Sequence, residues 1–154
     1  MNELIRNSID LLKDLIEIES FSFNESKTGN RIEKWFISND IKFKRNKNNV
    51  FAFNKFYNSE KPTILLNSHH DTVKPNKGYN NDPFKSKIEN GKLYGLGSND
   101  AGGSLVSLIA VFTYYYNRQD LKYNLIILAS AEEECSGENG IASIIPTLPK
   151  IDFA

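Results

Sequence analysis

Pro62-Thr63-Ile64-Leu65-Leu66-Asn67-Ser68-His69-His70-Asp71-Thr72-Val73 decides how this chain is read. A proline opens a short apolar run, and the run passes directly into imidazole and carboxylate side chains. An apolar run without alternation suits a strand buried on both faces of a sheet. The pattern recurs at Leu125-Ile126-Ile127-Leu128-Ala129, which leads into Glu132-Glu133-Glu134. Between the two runs, Gly95-Leu96-Gly97-Ser98-Asn99-Asp100 precedes a helix starting near Ala101. Leu105, Leu108, Ile109, Phe112 and Tyr116 mark that helix by their spacing.

The flanking segments supply the remaining elements. Ile5, Ile9, Leu12 and Ile16 form one stripe of a helix over residues 3–18, with Leu4, Leu11, Leu15 and Ile18 beside it. Asn30 followed by Glu33 resembles a capping box, and the helix it opens ends near Asn39-Asp40. Residues 41–44 and 50–56 flank Asn46-Lys47-Asn48-Asn49, a hairpin signal in which Asn tolerates positive φ. Residues 74–92 read as loop, and a short apolar segment at residues 141–145 stops at Pro146. Helices alternating with buried strands predict an α/β fold: a mixed, mostly parallel sheet flanked by helices. No internal repeat or linker divides it.

Composition narrows the function. Hydrophobic residues make up 40% and charged residues 25%, as in ordinary globular domains. The net charge of zero leaves no electrostatic footprint for nucleic acid or for an anionic membrane. No apolar run is long enough to span a bilayer, and the N-terminus lacks a signal-peptide pattern. Cys135 is the one cysteine, so no internal disulfide framework exists. A cytoplasmic location is the expectation.

The chemistry sits where strands end, the usual place for sites in open α/β sheets. His69 and Asp71 are two residues apart and point to one side of an extended chain. His69 can bind a metal through one ring nitrogen while Asp71 accepts the other N–H and fixes the tautomer. His70 is the alternative ligand, and a capping turn is the plainer reading of the motif. Asp100 at a helix start stays ionised in the field of the helix dipole, although an ordinary N-cap aspartate reads the same way. Gly102 and Gly103, costly inside a helix, point to a close backbone approach or to packing on the sheet. In Glu132-Glu133-Glu134, one carboxylate can bind metal while its neighbour takes a proton from the attacking water. A solvated acidic face is the bland alternative. Cys135 reads as a buried or partly buried thiol before a zinc ligand.

With those residues in place, the chain resembles the M20 family of metallopeptidases and deacylases. His69-His70-Asp71-Thr72-Val73 matches its His-x-Asp-x-Val motif, and Leu93 to Asp100 matches Leu-Tyr-Gly-x-Gly-x-x-Asp. Asp82-Pro83-Phe84 matches the preceding loop, and Glu133-Glu134 with Gly137 matches the Glu pair and following glycines. The resemblance implies two divalent metal ions, zinc by default, with cobalt or manganese also suited. His69 would bind one ion, Asp100 would bridge both, and Glu134 would hold the other. Glu133 would be the general base, with Asp71 orienting His69. A shift of one position would instead make Glu132 the base and Glu133 the ligand. Ala101-Gly102-Gly103 departs from the Lys-Gly that often follows the bridging Asp.

The resemblance further implies amide hydrolysis of small N-acyl amino acids, N-acetylornithine or N-acetylcitrulline first, as in arginine biosynthesis. A di- or tripeptide aminopeptidase or a succinyl-diaminopimelate desuccinylase comes next. Family members carry a further acidic ligand, a late histidine and a smaller dimerisation domain, all outside residues 1–154. The expectation is therefore the N-terminal part of a catalytic domain whose full-length form is a homodimer. This piece would be inactive alone, or a metal-binding remnant.

Overall fold

The structure, a computed structural model, describes residues 2–154. Its elements are α1 (Asn2–Glu17), α2 (Ser26–Ser38), β1 (Phe43–Asn46), β2 (Asn49–Phe53), β3 (Thr63–His69), β4 (Lys87–Glu89), β5 (Lys92–Tyr94), α3 (Gly103–Tyr115), β6 (Asn124–Ser130) and α4 (Ile141–Ile144). A four-stranded sheet runs in the order β1-β2-β6-β3, and β4-β5 form a separate small ribbon.

The mostly parallel sheet expected from the sequence is not what forms. Strands β1 and β2 pair antiparallel, as do β2 and β6, and only β3 and β6 run parallel. The reason lies in what an apolar run reports. Leu125, Ile127 and Ala129 face one core while Ile126 and Leu128 face the other, so β6 is apolar throughout because both its sides are covered. Burial on two faces carries no information about the direction of the neighbouring strands. The tight β1–β2 turn makes that pair antiparallel, and β2 meets β6 the same way. The single crossover, β3 through α3 to β6, supplies the parallel pair.

Helices α1, α2 and α3 cover one face of the sheet. Leu11, Leu15, Ile32, Phe36, Ile109 and Phe112 are buried there against Val50, Ala52 and Ile127. On the opposite face Ile144 of α4 packs with Phe51, Leu65, Ile126 and Leu128. Residues 152–153 run beside β3, with the Leu65 N–H donating to the Phe153 carbonyl at 2.9 Å. No described helix is long and apolar enough to cross a membrane.

Three local readings change. Helix α2 starts at Ser26, a turn before the expected cap at Asn30. Asn30 and Glu33 instead both accept from the Arg45 guanidinium of β1. In the β1–β2 turn the positive φ falls on Lys47, not on an asparagine. Residues 74–92, expected to be loop, contain β4, which turns into β5 through Asn90-Gly91, both at positive φ. Asn-Gly is a residue pair suited to a tight hairpin turn.

Candidate metal centre

Parallel pairing brings the two polar strand ends together. His69 of β3 lies opposite Ser130 of β6, so the chain leaves both strands at the same edge. There His69 Nε2 lies 3.1 Å from Asp100 Oδ1 and 3.7 Å from Glu133 Oε2. One donor atom each from His69, Asp100 and Glu134 lie within 4.8 Å of one another. Donors about 2.1 Å from a shared ion would span roughly 4 Å, so this set lies slightly open of a closed shell. An imidazole with carboxylates, one histidine nitrogen already engaged from behind, is the chemistry of a divalent-cation site. The donor set fits such an ion.

Asp71 is the hub behind it. The His69 Nδ1–H donates to the Asp71 backbone carbonyl at 3.0 Å, and the Asp71 carboxylate lies 3.4 Å away. The same carboxylate accepts the Ser22 hydroxyl at 2.7 Å and the backbone N–H groups of Glu133 and Glu134, each at 3.1 Å. Burial alone would raise the Asp71 pKa. The bonds from His69, Ser22 and the two amides outweigh it and bring the value down to about 2. Asp71 in turn, with Asp100 and Glu133 adding to it against burial, raises His69 to about 9. Loading a metal at neutral pH therefore displaces a proton from His69. Burial and the neighbouring Asp100 raise Glu134.

Asp100 reaches this edge through an irregular turn. Gly97 has φ +74°, and the Gly102 N–H donates to the Gly97 carbonyl at 2.8 Å. A Cβ on Gly102 would sit 2.6 Å from that carbonyl and 2.7 Å from Leu12 of α1. The close approach that the glycine pair implied is thus to this turn and to α1, not to the sheet. Asp100 itself is not a helical cap residue: its φ and ψ are −116° and 100°, and α3 begins three residues later.

His70 turns the other way. Its Nε2–H donates to the Asn48 carbonyl at 2.9 Å and its Nδ1 meets the Thr28 hydroxyl at 2.8 Å. Both ring nitrogens are engaged away from the carboxylates. Burial drops its pKa to about 4. The unfolded chain therefore takes up a proton more readily than the folded one. This contribution to stability is complete above pH 6.5, the ordinary histidine value. It is lost as pH falls towards 4, with a slope of up to about 1.4 kcal/mol per pH unit. Denaturant midpoints across this window should show the loss in the wild type and not in His70→Gln.

Glu132 also turns inward. It is 5% exposed and accepts the Asn139 backbone N–H at 3.0 Å and the Asn139 amide at 2.9 Å. Gly137 leaves room for it, since a Cβ there would overlap the Glu132 carboxylate. Glu133 is exposed beside His69. Cys135, expected to be at least partly buried, is exposed in the turn that follows the acidic run, outside the cluster. Ser22, Glu25 and Asn48, which back the site, carried no signal in the sequence beyond polarity.

The sequence profile of peptidase family M20/M25/M40 matches residues 65–154. The chain belongs to this family. Among curated relatives, a succinyl-diaminopimelate desuccinylase of Wigglesworthia glossinidia brevipalpis is 32% identical over 152 residues, covering 94% of this chain and 39% of that protein. Two solved structures are similar in fold. Human carnosine dipeptidase 1 superposes with a TM-score of 0.76 at 18% identity, over 96% of this chain and 37% of that one. A Bacillus subtilis protein described as a dinuclear metal-binding peptidase of the M20 family superposes with a TM-score of 0.69 at 20% identity, over 95% and 40%. The chain thus spans about two fifths of the length of the relatives it matches.

Proposed function

We propose that this chain is the N-terminal, metal-holding part of an M20 amide hydrolase acting on a small N-acyl amino acid. The grouping of His69, Asp100 and Glu134 donor atoms within 4.8 Å of one another carries the reading. His69 and Glu134 would each hold one of two divalent ions, with Asp100 shared between them. Zinc is the first candidate for this donor set, and cobalt or manganese suits similar ligands. When bound, such ions supply Lewis acidity and a water of lowered pKa.

The chain's own residues do the rest. Asp71 holds His69 in the tautomer that leaves Nε2 free once its proton is lost. Glu133, exposed 3.7 Å from His69 Nε2, takes a proton from the attacking water and returns it to the leaving amine. Glu132 is committed to Asn139, which supports Glu133 as base and Glu134 as ligand over the register shifted by one.

For the acyl group, the desuccinylase relative favours an N-succinyl diamino acid. N-acetylornithine, suggested by the form of the motifs, stands behind it, with short peptides as a further candidate. The remaining ligands and the dimerisation domain would come from outside residues 1–154.

The deciding measurement is cobalt binding to the 154-residue chain, followed by its visible spectrum. Saturable uptake, lowered at least about 10-fold by His69→Ala, is the expected result. Absence of uptake would overturn the metal-centre reading. Turnover should be absent from the isolated chain. In a protein that includes the rest of the M20 length, it should be faster with N-succinyl-diaminopimelate than with N-acetylornithine or a dipeptide. A preference for either of the others would overturn the acyl-group assignment.

A further inference from the structure

Glu25 is a fully buried carboxylate, 0% exposed, immediately before α2. None of the ion pairs among the described residues includes it. A buried carboxylate without a cation is costly unless hydrogen bonds satisfy it. Its Oε1 accepts the Phe23 N–H at 2.8 Å and the Glu132 N–H at 3.2 Å, and its Oε2 accepts the Asn48 amide at 2.8 Å. These donors come from the segment before α2, the β1–β2 turn and the loop after β6.

The Glu132 bond has a counterpart at the next two residues. Asp71 Oδ1 takes the Glu133 N–H and Oδ2 takes the Glu134 N–H. Three consecutive backbone N–H groups are therefore held by two buried carboxylates, Glu25 and Asp71. Asp71 is tied to His69, so its position is linked to the metal centre directly. The hydrogen bonds of the Glu25 side chain go to Phe23, Asn48 and Glu132, not to His69 or the exposed carboxylates.

Resting on the metal-centre reading above, we infer that Glu25 is a positioning residue that fixes the backbone of Glu132, and through it the aim of Glu133 and Glu134. Glu132 has φ +55°, a conformation that non-glycine residues rarely adopt without local support. With Glu25 accepting its N–H and Asn139 binding its side chain, Glu132 is held at both ends. The next two residues then emerge towards His69. The Glu25–Asn48 bond continues the link, because the Asn48 carbonyl accepts from His70 beside His69. One chain of polar contacts thus connects both strand ends that carry the centre. Such networks hold a site geometry only when every member is satisfied.

The test compares Glu25→Ala, Glu25→Asp and Glu25→Gln in the 154-residue chain with two readouts. The first is amide hydrogen exchange at residues 132–134 in the metal-free protein, referenced to β6 amides. The second is cobalt affinity with its visible spectrum. Glu25→Ala should lower protection of the three amides at least about 10-fold while β6 stays protected, and weaken cobalt binding about 10-fold, the lower end of the effect of supporting residues. Glu25→Gln keeps an oxygen in the Oε1 position and should restore both to within about threefold. Glu25→Asp retracts the carboxylate by one methylene and should behave like Ala in a folded protein; it decides the matter if Glu25→Ala does not fold. Unchanged loop protection in folded Glu25→Ala, or in Glu25→Asp, overturns the inference. So does Glu25→Gln as impaired as Glu25→Asp. If the wild type takes up no cobalt, the metal-centre reading fails separately, and the exchange comparison still decides whether Glu25 holds the loop.

Discussion

Asp71→Ala is expected to weaken cobalt binding about 10–100-fold and to destabilise the fold by about 3–5 kcal/mol. Both effects come from one carboxylate that accepts three hydrogen bonds and lies 3.4 Å behind His69 Nδ1. The substitution removes the negative charge behind His69, whose Nδ1–H keeps the residue-71 backbone carbonyl, and deprives the Ser22 hydroxyl and the N–H groups of Glu133 and Glu134 of their acceptor. Groups left unpaired near the interior incur the full desolvation penalty. Asp71→Asn preserves shape but turns an NH2 towards at least one donor, so it should fall between the two. Cobalt titration gives the first effect and denaturant unfolding of the metal-free chain the second. Wild-type affinity in Asp71→Ala would remove Asp71 from any supporting role.

The three adjacent glutamates should give three different phenotypes. Glu133→Gln, assayed in an M20 protein carrying this chain in catalytically competent form, should cut turnover about 10²–10⁴-fold. Its cobalt affinity should change little, because the substitution leaves in place the backbone N–H that Asp71 accepts. Glu134→Gln should lose metal and activity together. Glu132→Gln should mainly lower stability, since the carboxylate it alters is buried on Asn139. Metal content measured beside kcat separates the cases. Retained turnover in Glu133→Gln with lost turnover in metal-loaded Glu132→Gln would instead favour the register shifted by one.

Much of this was legible because local sequence carries local consequences. The stripe of Ile9, Leu12 and Ile16 made a helix, and two non-alternating runs made strands buried on both faces. Their polar ends marked the edge where a site could form. The glycines at 97, 102 and 103 signalled a close approach without naming the partner. Strand direction was not legible, because burial of β6 on both faces is equally compatible with a parallel or an antiparallel neighbour.

The candidate ligands divided in the same way. His69 and His70 are chemically identical in sequence, and so are Glu132, Glu133 and Glu134. Their side chains alternate or fan out according to backbone dihedrals at the strand end. Contacts from α2, the β1–β2 turn and Asn139 occupy His70 and Glu132. Those partners lie up to 42 residues away in the chain. By itself the sequence determined the helices, the buried strands, the M20 motifs and the residue types available for a metal. Only the tertiary structure decided strand direction and showed what draws His70 and Glu132 away from the centre. Both depend on what packs against a backbone from distant segments, and residue identity at the site does not encode that.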